Sequence, residues 1–224
     1  MAVANFDWGK CVGLDLVVEG CAKPGYEREW RRLVERAFSD RGLPDQEVVR
    51  FNEISIPAYE RIGAPRVGTD PAANAWIIEA RQAVTPDDIR QALEEFDGYY
   101  VIRLVSCDGV PTYSNGGLYD GVDETSFRGA FLKDCGGVID NRLQSRAWEH
   151  KLPEAAVDYG RALLDAAQTA ETAPLVERKG LLSRLGLTKP SESIPLSEQL
   201  DIVRSAGRWY VFWGELGHPI RAYF

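Results

Sequence analysis

RWYVFW, residues 208–213, decides how the C-terminal part of the chain is read. Trp209, Val211 and Trp213 alternate with Tyr210 and Phe212, and aromatic and β-branched residues favour a pleated backbone. With both faces apolar, the run reads as a central strand with Val211 buried, or as a strand whose indoles line a groove. On one side EQLDIVRS (198–205) reads as a neighbouring strand across Ala206-Gly207. On the other, Gly217-His218-Pro219 turns the chain into a last strand, IRAYF (220–224). The expectation is a C-terminal β-meander over 197–224.

Upstream, CVGLDLVV (11–18) places Val12, Leu14, Leu16 and Val18 on one face, the period of a half-buried strand. After Lys23-Pro24-Gly25, the apolar residues Trp30, Leu33, Val34, Ala37 and Phe38 recur at helical spacing, opposite a face of mixed Glu and Arg. EVVRFNEISI (47–56) and AWIIEARQ (75–82) read as strands, joined by a Pro- and Gly-rich loop over 57–74. Thr85 is placed to cap a helix with Pro86 at its first position and acids in its first turn, and Ile89, Leu93 and Phe96 form its apolar face. YYVIRLVS (99–106) reads as a strand that turns through Cys107-Asp108-Gly109 into VPTYS.

The stretch SNGGLYDGVDETSFRG (114–129) leads into a helix expected to begin near Thr125 or Ser126 and to carry Phe127, Ala130, Phe131, Cys135 and Val138. A further helix begins at Pro153, with Ala156, Val157, Gly160, Leu163, Leu164 and Ala167 inward. Residues 171–195 gather three prolines with Arg178, Lys179, Arg184 and Lys189, and read as a linker or excursion. The whole predicts one α+β domain over 1–224: a mostly antiparallel sheet with about four packed helices.

The chain has 224 residues, 34 acidic against 26 basic, for a net charge of −8. That balance disfavours nucleic acid, whose recognition needs a basic face, and suits a protein partner with a basic surface. No run approaches the 18 or so apolar residues of a membrane span. The first residues, MAVANFDWGKCVG, lack the pattern of an export signal, so a cytoplasmic, bacterial setting is expected, with Cys11, Cys21, Cys107 and Cys135 reduced and buried.

Several chemistries lack their signatures. The chain contains no GxxxxGK[ST] phosphate cradle, no GxGxxG fingerprint, no GxSxG elbow and no HExxH. Cys135 and His150 on one continuous helix would stand about 22 Å apart, too far for a nucleophile–base pair. His218 reads as a solvent-facing turn residue, and as a general base only if the Trp209/Trp213 strand lines a pocket.

Asp120, Asp123 and Glu124, with Tyr119 and Arg128 nearby, either form a site or simply cap a helix; capping is the better-supported reading. The candidate binding residues are therefore Tyr113, Tyr119, Asp120, Asp123, Arg128, Trp209, Trp213 and His218. No metal or cofactor is expected. The expected function is that of a non-catalytic interaction module, an immunity-like or accessory protein. The alternative is a hydrolase or small-molecule binder that uses the acidic loop at 120–124 and an aromatic groove.

Overall fold

The computed structural model describes residues 14–39, 42–101, 104, 126–127, 129–172 and 194–224. Two 20-residue helices frame it, α7 (Pro153–Thr172) and α8 (Leu196–Glu215). They run antiparallel, and glycines let their backbones come close. A Cβ on Gly160 would stand 2.6 Å from the Gly207 carbonyl oxygen, and one on Gly214 would stand 2.7 Å from the Pro153 carbonyl oxygen. Along the seam Ala156, Tyr159, Leu163 and Ala167 of α7 meet Val203, Ala206, Tyr210 and Trp213 of α8, all buried in one core.

A three-stranded antiparallel sheet, in the order β4-β1-β5, lies against this pair. Its strands are β1 (Asp15–Val18), β4 (Ser126–Phe127) and β5 (Ile220–Tyr223). In the register Leu16 faces Ala222 and Phe127, and Val18 faces Ile220. Leu14, Leu16 and Val18 thus share one face, as their alternation predicts, and that face joins the main core.

Three smaller pieces complete the described fold. A two-stranded sheet pairs β2 (Cys21–Ala22) with β3 (Ser55–Ile56). Beside it α1 (Glu27–Ala37) packs Trp30, Leu33 and Val34 against Ile54 of α2 (Asp45–Ile54), and the Trp30 indole N–H donates to the Gly20 carbonyl at 2.9 Å. A short α3 (Ala58–Arg61) leads to a helical hairpin, α4 (Pro71–Ala80) and α5 (Pro86–Glu95). The hairpin has its own core of Val67, Ala73, Ile77, Ala92 and Val101. A 3-10 helix (Gly129–Asp134) and α6 (Asn141–Arg146) join β4 to α7.

The structure is α+β, but helix dominates: nine helices against the short strands among the described residues. That corrects the expected mostly-sheet architecture with four helices, and the C-terminal meander fails with it. Residues 196–215 are one helix, in which Leu200, Val203, Ala206, Tyr210 and Trp213 recur at three- and four-residue steps on the buried side. Val211 is only half-buried, on the flank of that stripe. Only β5 survives from the meander.

Two other expected strands are helices for related reasons. Residues 45–54 start after Pro44 with Asp45 and Glu47 in the first turn, and turn Phe51 and Ile54 inward while Val48 and Val49 face outward. Residues 71–80 start with Pro71 and bury Ala73 and Ile77 one turn apart. The strand expected over 99–106 is, among its described residues, a single bridge from Tyr100 to Arg66.

The helix expected from Thr125 or Ser126 is replaced at Ser126 and Phe127 by β4. Gly129 then allows the chain to pass close over β1, since a Cβ there would lie 2.7 Å from Leu14 Cδ2. The helices starting near Glu27, Pro86 and Pro153 form as read. At α5 the Thr85 hydroxyl accepts from Asp88 N while Asp88 accepts from Thr85 N, a complete capping box. The 171–195 excursion lies outside the described residues apart from its two ends. No helix among the described residues is long and apolar enough to cross a membrane.

Candidate functional site

Of the eight residues singled out from sequence, Tyr113, Tyr119, Asp120, Asp123 and Arg128 lie outside the described residues. The other three are brought together in the core. Trp213 meets His218 edge-on at 5.2 Å between ring centres, and Trp209 packs against Phe127 and Tyr210. Both indoles are fully buried, so they line no open groove.

His218 is also fully buried, which corrects its expected exposure. The turn folds back under the sheet, and His218 Nδ1 lies 2.7 Å from the Glu19 carbonyl oxygen while Pro219 O accepts from Glu19 N. Burial pulls its pKa down to about 4, so the ring is neutral and donates to Glu19. Cys135 and His150 are engaged separately. The Cys135 thiol donates to the Phe131 carbonyl, with burial pushing its pKa up to about 12, while His150 accepts from Ala222 N.

The polar centre that the sequence did not reveal is Lys151, whose residue is 2% exposed. Its ammonium donates to the Arg146 carbonyl and, at 2.9 Å, to the Glu149 carbonyl, closing the 146–151 turn around itself. Above it sit two phenol rings, Tyr159 at 4.5 Å and Tyr210 at 5.7 Å. Arg146, at the C-terminal end of α6, also lies over the Tyr159 ring, at 5.0 Å.

Among the described residues no carboxylate hydrogen-bonds to Lys151; carbonyl dipoles and ring faces carry the charge. Burial lowers its pKa to about 8, so a fraction of the amine is neutral near physiological pH. Sealed as it is, that amine holds the turn rather than meeting solvent. A lysine two residues before the proline that opens a helix gives no sequence signal of such burial.

Among the described residues, the α4–α5 hairpin is strongly one-sided in charge. Residues 70–98 contain seven acids and two arginines, a charge of −5 within a chain of −8. Both arginines are consumed internally, Arg81 by Glu95 and Arg90 by Asp87. Glu79 and Glu94 are exposed and have no ion pair with a described residue. Between the 81–83 bend and α5 lies an open cleft of about 260 Å³ lined by Arg81, Gln82, Ala83, Asp88, Gln91, Ala92 and Glu95. Gln82 takes φ +53° to make the bend, and the next residues lift Val84 to 84% exposure. Tyr99 is also exposed, just beyond α5.

No group of histidine, cysteine and carboxylate side chains among the described residues is arranged to hold a metal ion. No protein-family model, curated protein or solved structure matches the chain.

Proposed function

We propose that the chain works by binding another protein, and that its α4–α5 hairpin is the face presented to a basic partner surface. The observation that carries this reading is the concentration of charge: five of the eight net negative charges fall on 29 residues whose arginines are already paired. An uncompensated field of this kind steers a partner of opposite sign and fixes its register more than it adds raw affinity. Val84 and Tyr99, apolar and exposed at the margins of the acidic face, supply the kind of side chain that anchors such a contact once desolvated. An accessory or immunity-like role in the cytoplasm follows from the same reading.

The test is affinity capture from the producing cells with the wild-type chain and a Glu79→Lys/Glu94→Lys double variant, followed by calorimetry with the purified partner. Reversing both charges should weaken binding by about tenfold or more at low salt, and the loss should shrink as salt is raised. A partner that binds the double variant as tightly as wild type, or that shows no basic surface, would refute the reading.

A further inference from the structure

The outer edge of β5 is closed partly by a side chain. Ile220 exchanges both backbone hydrogen bonds with Lys151, each 2.8 Å long, so its N–H points away from β1. Two residues on, the N–H of Ala222 points the same way and meets the His150 imidazole, with Nδ1 accepting at 3.1 Å. A ring nitrogen that accepts from an amide must offer a lone pair. The bond therefore requires the neutral ring with its proton on Nε2.

We propose that His150 is an acid-sensitive latch: protonating its ring breaks the bond to Ala222 and opens the outer edge of β5 together with the 146–151 turn. The surroundings make the charged ring unwelcome. From β5 comes Arg221, whose guanidinium is committed to Glu19 at 2.6 Å, with Tyr223 beyond it. From its own turn come Lys151, Arg146 and Glu149, of which Glu149 is exposed. From the end of α1 comes, among the described residues, Phe38, its ring 4.8 Å from the imidazole and also beneath Arg221. Arg221 and Lys151 thus bear on the ring, and of the carboxylates beside it Glu19 is already paired while Glu149 is exposed.

Burial, and after it the Arg221 and Lys151 charges, hold the imidazole below its ordinary range. The closed latch therefore binds fewer protons than the open one. It is fully shut above the ordinary imidazole range and loosens as pH falls toward the lowered value, by about tenfold in population per pH unit within that window. Trp148 and Phe224, whose rings meet edge-on at 5.4 Å across this edge, would part when it opens.

The experiment is amide hydrogen exchange at Ala222 by NMR in steps from pH 7 to pH 5, corrected for intrinsic exchange, together with titration of the His150 ring resonances. It uses the wild-type protein, His150→Asn and His150→Leu. In wild type the Ala222 protection should fall about tenfold or more, with a midpoint matching the His150 titration. His150→Leu, which has no acceptor, should show weak protection at both pH values. His150→Asn, whose carbonyl accepts without titrating, should remove the pH dependence. All three proteins keep His218, so its own titration cannot produce the difference. Equal Ala222 protection in wild type at the two pH values, a midpoint away from that of His150, or an equal acid-induced fall in His150→Asn would overturn the proposal.

Discussion

Adding one methyl group at Gly160 tests whether the α7–α8 seam holds the molecule together. A Cβ there would lie 2.6 Å from the Gly207 carbonyl oxygen, 2.9 Å from Tyr210 Cβ and 2.9 Å from Val211 Cγ2. Two of these atoms are backbone or Cβ, which no rotamer change can move. The helices must separate by roughly 0.5–1 Å, and overpacking of this kind costs about 1–3 kcal/mol. Alanine's better helix propensity returns at most about 1 kcal/mol.

The expected net loss for Gly160→Ala is therefore about 1–2 kcal/mol, near 2–8 °C in melting temperature for a chain of this size. Gly136→Ala is the control, because the nearest atom to its Cβ is Gln144 Nε2 at an ordinary 3.6 Å. Gly207→Ala should resemble Gly160→Ala, and the double variant should cost less than the two singles added, since helices already separated admit the second methyl. Urea titrations and thermal scans followed by circular dichroism measure all four proteins. A Gly160→Ala protein as stable as wild type would show that the two helices do not pack as described.

Two further outcomes follow from the buried side chains. Trp213→Ala should cost about 3–5 kcal/mol in a urea titration, as large aromatic truncations in cores do, and a melting curve unchanged from wild type would place the indole outside the core. Lys151 titrates near 8 in the folded protein against about 10.5 unfolded, so between these values the unfolded chain binds more protons and stability must rise with pH. Relative to Lys151→Met, wild type should gain at most about 3 kcal/mol from pH 8 to pH 10.5 and nothing below pH 8; a difference that falls with pH refutes the burial of the ammonium.

How far the sequence could be read depended on which constraints were local. The capping box at Thr85 and the amphipathic stripe of α1 are written in neighbouring residues, and both formed where read. RWYVFW failed because its residue types favour strand while its buried set follows a helical period visible only over a longer window. Leu200, Val203 and Ala206 must be included before Tyr210 and Trp213 fall into line. The runs at 47–56 and 75–82 mislead for the same reason: taken alone, neither includes Pro44 or Pro71, the residue that sets its helical start.

The polar centres were illegible for a different reason. His150 and Lys151 acquire their roles only when β5, some 70 residues later in the chain, returns beside them. The Ala222 N–H needs an acceptor, which the imidazole is only when neutral, and a long cation reaches the carbonyls of residues 146 and 149 beneath two phenol rings. Adjacent positions thus place opposite demands on protonation, one ring that must stay neutral and one amine that is best held charged. Burial, with the Arg221 and Lys151 charges behind it, keeps the imidazole deprotonated near neutral pH, and the ring loses its bond to Ala222 only as the pH falls below its ordinary range.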